Sequence, residues 1–159
     1  MRNKTVAVAA AAVLVGATVG VTLSASAAPR TPPRLTVTAT TTHEALLVLN
    51  STPGDPTGNQ FVSAHDLYRG QHKIGTDGAA CQVIDVVGRE RLRVQCVASL
   101  SLPTGQLTAQ GLTVVDEAGT TPFTLAITGG TGAYASAHGQ ITVRPLNDQR
   151  SRYTITLQG

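Results

Sequence analysis

From Leu35 to the C-terminus, apolar and polar side chains alternate along much of the chain. Leu35, Val37 and Ala39 interleave with Thr36, Thr38 and Thr40; Phe123, Leu125 and Ile127 with Thr124, Ala126 and Thr128; Tyr153, Ile155 and Leu157 with Arg152, Thr154 and Thr156. A period of two with Thr and Val enrichment is the mark of a β-strand with one buried face. Gly, Pro and Asn/Asp breakers divide the chain into eight such segments, at about 35–42, 59–69, 79–87, 90–101, 104–115, 121–128, 138–146 and 151–158. The run EALLVL (Glu44–Leu49) is too short to specify a helix and reads equally as a continuation of the first strand. STPGDPTGN, Ser51–Asn59, is a turn-rich loop. Short antiparallel strands with no helices between them predict a sandwich or a closed barrel.

One hairpin can be registered residue by residue. In CQVIDVVGRERLRVQC, a two-residue Gly88-Arg89 turn of type II′ pairs Val87 with Glu90. Counting outward sets Cys81 opposite Cys96 at a hydrogen-bonded position, with Cα atoms about 4.5–5.5 Å apart and within reach of a disulfide. In GQLTAQGLTVV, Leu107 and Val115 face one way and Leu112 and Val114 the other. Apolar residues on the outside of a barrel predict that barrels pack against one another as a homo-oligomer.

The N-terminus changes the cellular setting. MRNK precedes an apolar run from Val6 to about Leu23, and Ala25-Ser26-Ala27 fits a small-residue cleavage site. Residues 1–27 are therefore expected to be a secretory signal, with Ala28–Arg34 a proline-rich leader and 35–159 one domain. The apolar run is rich in Ala and Gly and carries Thr18 and Thr22, which weakens it as a membrane span, so no membrane association is expected after cleavage. Two cysteines in an exported chain suggest a disulfide in an oxidising, extracellular location. Loss of Arg2 and Lys4 takes the net charge from +3 to +1, so the basic balance is no argument for nucleic acid.

Motifs for common chemistries are absent or misplaced. TGGTGAYA (Thr128–Ala135) contains G-x-G-x-x-A, but the next periodic stretch is a strand, so the glycines are expected to serve a tight connection and not a dinucleotide. His43, His65, His72 and His138 have no metal-ligand spacing, and neither a metal nor a cofactor is expected. His65 and Asp66 are neighbours on one strand, so only one of them can face a barrel interior.

The order of motifs resembles the allene oxide cyclase and dirigent-protein superfamily: HDLYRGQHKIGTDGAACQVI, then LPTGQLTAQGL, then FTLAITGGTGAYASAHGQITV, over about Gln60–Leu157. The most specific element is AITGGTGAY followed by His138 and Gly139. The resemblance implies an eight-stranded antiparallel β-barrel, often oligomeric, whose cavity holds a hydrophobic small molecule and steers a cyclisation or coupling by confinement. His65 falls where the cyclases carry a cavity asparagine, and Cys81 where they carry a cavity cysteine. The cyclases' first-strand glutamate has no counterpart between Thr36 and Thr42. The dirigent acidic residue and arginine are replaced by Ala133 and His138, while Tyr134 keeps the usual aromatic. The candidate acid/base residues are thus His65 and His138, and the candidate ligand contacts are Asp66, Tyr134 and Cys81, with Cys81 and Cys96 also the disulfide pair. With two Phe, three Tyr and no Trp, the cavity is expected to be mainly aliphatic. The functional expectation is a secreted barrel that binds and rearranges a hydrophobic molecule; the alternative is a non-catalytic carrier or extracellular interaction barrel.

Overall fold

The computed structural model describes residues 33–88, 91–116 and 121–158. The expected signal, most of the leader, Arg89 and Glu90 lie outside the described residues. The strands are β1 (Arg34–Leu47), β2 (Gln60–Arg69), β3 (His72–Val86), β4 (Arg91–Leu102), β5 (Gly105–Asp116), β6 (Phe123–Gly130), β7 (His138–Asn147) and β8 (Arg150–Gln158). Each pairs antiparallel with the next, and β1 pairs with β8, so the sheet closes into a barrel. Closure removes both sheet edges. It also sends alternate residues of every strand into one core, where Val37, Leu67, Val83, Val94, Leu100, Leu107, Ile141 and Ile155 are all buried.

Two strands run longer than expected. β1 continues to Leu47 and absorbs most of the EALLVL segment, because it pairs with β2 out to Leu47↔Gln60. Asn59 fixes the loop that follows: it is 8% exposed, and its Oδ1 accepts from the backbone N–H groups of Leu49 (2.9 Å) and Asn50 (3.1 Å). β3 begins at His72 instead of 79, so GTDG lies within a strand. Gly75 is required there because a Cβ would collide with the Ser101 carbonyl on β4; the glycine marks close strand approach, not a turn.

The hairpin between β3 and β4 corrects the expected turn. The Val87 N–H donates to Arg91 O at 2.7 Å, so Val87 pairs with Arg91 and not with Glu90. That shift is cancelled by a bulge between Val83 and Asp85, where Ile84 is the extra residue. Beyond it the register returns to Val83↔Val94 and Cys81↔Cys96, and the two cysteines are bridged. Their Cα separation of 4.0 Å matches the closely spaced, non-hydrogen-bonded class of pair, not the hydrogen-bonded class expected.

One end of the barrel is plugged. Between β6 and β7 a short 3-10 turn, Gly132–Tyr134, folds back against β5. Thr131 N–H donates to Gln106 O at 2.8 Å and Ala133 N–H to Thr104 O at 2.9 Å. Gly132 sits at φ +59, and a Cβ at Gly130 would strike Gln106 O and Tyr134. The glycines of TGGTGAY therefore allow a plug to pack across the barrel end, as a tight connection and not as a phosphate cradle. On the outside, Ile84, Val97 and Leu112 remain 43%, 51% and 59% exposed on neighbouring strands β3, β4 and β5.

Gly130→Ala is expected to lower stability by about 1–3 kcal/mol through overpacking, read by denaturant unfolding; an unchanged midpoint would show that the plug yields. Replacing Cys81 and Cys96 together by Ala is expected to cost about 3 kcal/mol, the loop-closure value for a separation near the 15 residues found here.

Candidate functional site

The open half of the barrel encloses a cavity of about 170 Å³. Its wall is mostly aliphatic, with Ala79, Ala98, Leu100, Leu125, Ile141 and Val143 facing inward, and Phe123 and Pro145 nearer the mouth. The Cys81–Cys96 bridge forms part of the same wall. An eight-stranded barrel has just enough interior to be filled by side chains or to hold one small ligand. Here the larger side chains crowd the plugged half, which keeps a pocket of about 130 Å³ beside Tyr134, and the other half holds the 170 Å³ cavity.

Strand parity decides which polar groups reach the cavity. On β2, Ser63, His65 and Leu67 point inward. On β3, Asp77 lies directly across from His65, and on β8 Tyr153 completes a cluster of three. The Nδ1–H of His65 donates to Asp77 Oδ1 at 2.7 Å, and the Tyr153 hydroxyl lies 3.4 Å from the same nitrogen. The rings of His65 and Tyr153 meet edge to face, with centroids 6.2 Å apart. The side chains of Asp77 and His65 are 1% and 13% exposed. Among the described residues the hydrogen bonds of the imidazole use Nδ1, which leaves Nε2 for a molecule in the cavity. A buried carboxylate that fixes one ring nitrogen is a common way to orient a histidine acid/base. Burial, and then the Asp77 charge, push the Tyr153 hydroxyl well above the ordinary tyrosine value of 10.0, so it remains a proton donor.

The candidates from the sequence separate. His65 and Cys81 line the cavity, Cys81 as half of a disulfide and not as a thiol. Asp66 takes the opposite face of β2 and pairs with Lys73 at 2.6 Å. Its carboxylate in turn holds the Lys73 ammonium above its ordinary value. Tyr134 belongs to the plug and lines a separate pocket of about 130 Å³ with Leu35, Leu107 and Ile155. His138 is exposed on β7, 3.3 Å from the Ser136 carbonyl. Asp66, Tyr134 and His138 are thus not brought to the central cavity.

Three residues were missed. Asp77 sits in GTDG, which reads as a break and not as strand; Tyr153 reads as one more core aromatic in an alternating segment. The third is Glu44. A bulge at Thr42 shifts the β1 register so that Glu44 lies across from Ser63. The first strand thus carries a carboxylate after all, exposed at the mouth and beyond the stretch 36–42.

Residues 34–157 match the family model described as allene oxide cyclase barrel like domain. Among solved structures, a pyocyanin demethylase is 28% identical, with a TM-score of 0.71 over 79% of this chain and 100% of that one. The exo-specific intermolecular Diels-Alderase AbnU is 17% identical, with a TM-score of 0.62 over 80% of this chain and 99% of that one. A pterocarpan synthase dirigent protein is 16% identical, with a TM-score of 0.59 over 80% and 96%. The last two share the fold. No curated protein matches the chain.

The Tyr153 proton gives a direct test. The unfolded chain releases it near pH 10, whereas the native state holds it. This contribution to stability is therefore complete below pH 10 and is lost as pH rises above it. The tyrosinate absorbance of native wild type minus that of Tyr153→Phe is expected to be flat up to about pH 11. A difference appearing near pH 10 in the folded protein would show the hydroxyl to be solvated.

Proposed function

The chain belongs to the allene oxide cyclase barrel-like family, and on that premise we propose that it is an exported barrel that binds a small hydrophobic molecule and steers its cyclisation or coupling. The observation that carries this reading is a half-empty barrel into which one polar cluster, His65–Asp77–Tyr153, converges on an otherwise aliphatic wall. A filled barrel would argue for a structural role; an apolar space with few convergent polar groups is the usual form of a ligand site.

The division of labour follows from the chemistry. The aliphatic wall holds a flexible substrate in one folded conformer, which converts an intramolecular bond formation from a rare encounter into a positioned one. His65 Nε2 takes or gives a proton, Asp77 fixes the ring and balances the imidazolium that forms, and the protonated Tyr153 hydroxyl supports the cluster from the other side. That relatives of this fold include a Diels-Alderase, a dirigent protein and a pyocyanin demethylase supports a barrel that shapes reactions of organic small molecules. A disulfide fits an oxidising location. The exposed Ile84, Val97 and Leu112 fit a face covered by a second copy.

The second reading is a carrier. It is favoured by the bridge that ties up Cys81, since a thiol is no longer available in the cavity wall.

Native mass spectrometry of protein from culture supernatant, followed by organic extraction, is expected to release a hydrophobic compound and to show an oligomer. Ala98→Trp, which fills the cavity from β4, is expected to abolish its retention; undiminished retention by this variant would remove the cavity from consideration. With the compound in hand, His65→Gln is expected to lower turnover by about 100-fold or more while retaining binding, the usual size of a lost acid/base group. Equal conversion by wild type and His65→Gln would leave the carrier.

A further inference from the structure

A small aliphatic molecule can be neutral, anionic or cationic, and the charges lining the cavity bear on which it would take. Among the described residues that line it, Asp77 is the one carboxylate, and neither lysine nor arginine is present. The nearby arginines alternate to the outer face. Arg93 pairs with Asp85 there at 2.7 Å, and Arg144 and Arg152 occupy outward positions of β7 and β8, opposite each other in the ladder. At the rim, past the last β1–β8 pair, the Thr42 bulge sets a second carboxylate, the exposed Glu44, across from Ser63 in the β1–β2 ladder. The strand alternation thus leaves the Asp77 carboxylate facing the cavity and these guanidinium groups facing outward.

We propose that the ligand of this cavity is an organic cation, an amine or a protonated or quaternised nitrogen on an aliphatic or heterocyclic frame, and that Asp77 sets this preference with Glu44 assisting at entry. The inference rests on the cavity reading above and adds the charge of the occupant. A negative group entering the aliphatic space would lose its hydration and meet the Asp77 carboxylate with no fixed cation to receive it. A positive group replaces part of its hydration with that carboxylate in a low-dielectric wall, where the attraction is stronger than in water. The raised proton affinity of Tyr153, to which the Asp77 charge contributes, shows the same field acting on a neighbouring group. His65 leaves Nε2 as a neutral hydrogen-bonding partner for an N–H of the guest whenever its ring is uncharged.

The test uses three probes of matched shape: cyclohexylmethylamine, cyclohexylmethanol and cyclohexanecarboxylate, titrated at about pH 8 into the full chain and followed by amide and side-chain NMR shifts of cavity residues. The amine is expected to bind at least about tenfold more tightly than the carboxylate, the scale of one buried charge-assisted contact. Asp77→Asn is expected to bring amine affinity down to that of the alcohol while leaving the alcohol within about twofold. Since a buried substitution can unfold the barrel, Glu44→Gln at the exposed rim provides a second readout: a drop of about twofold to fivefold for the amine alone, as for a solvated charge. Amine and carboxylate binding equally, or an amine preference unchanged in both variants, overturns the inference while leaving a working cavity. Failure of all three probes, the alcohol included, overturns the cavity reading and this inference together.

Discussion

Closure of the eight-stranded sheet is the constraint from which the remaining features follow. Once β1 pairs with β8, every strand has a neighbour on both sides, and residues along the paired stretches face either the enclosed space or the outside. There is no third option, and a shift of one residue exchanges the two. The enclosed space is narrow enough that a few large side chains, Leu67, Leu107 and Ile155, take up much of the half next to the plug at full burial. The other half is lined by smaller residues, Ala79, Ala98 and Ser63 among them, and stays open. The cavity is therefore a consequence of side-chain size along inward positions, not of any separate loop or lid.

Within that frame, bulges determine which chemistry is inside. Ile84 is an extra residue on β3, and without it the Gln82–Gln95 layer and the Val83–Val94 layer could not both meet the longer reversal at Val87 and Arg91. The bulge also leaves Asp85 on the outer face with Arg93. Thr42 does the same on β1: its hydroxyl donates to Ala64 O at 3.0 Å, and the strand beyond it changes phase, which brings Glu44 to the mouth. Bulges of this kind re-aim side chains near functional sites in many sheets.

The polar cluster is the costly part of the interior, and its geometry shows how the cost is met. A carboxylate with 1% exposure is tolerable because the His65 ring donates to it, and that ring is itself held by the edge contact with Tyr153. Three strands, β2, β3 and β8, each contribute one member, so the cluster depends on the register of three ladders, β2–β3, β1–β2 and β1–β8. Such a group is conformationally defined, polar, and located in otherwise aliphatic surroundings, which is the setting in which proton transfer and charge discrimination are strongest.

The sequence alone determined the strand count, the all-β class and the Cys81–Cys96 pairing; it left sandwich and barrel open until the family resemblance favoured the barrel, and it required that one of His65 and Asp66 face inward without deciding which. The first three rest on alternation, which is local and survives small errors in turn length. The cysteine pairing came out right although the reversal was one residue longer than read, because the bulge at Ile84 cancelled the difference. His65 was a candidate from the sequence and lies on the cavity wall; the side chains it meets there were not legible. Asp77 lay in a glycine-flanked segment that only long-range pairing with Ser101 and Leu100 makes into strand. Tyr153 stands 88 residues from His65, and its role exists only because the barrel closes. Asp66, Tyr134 and His138 carried suitable chemistry, yet parity, the plug and solvent exposure set them elsewhere. Periodicity fixes which residues share a face; which faces meet, and which carboxylates they bring inward, is decided by closure and register, and those are properties of the whole sheet.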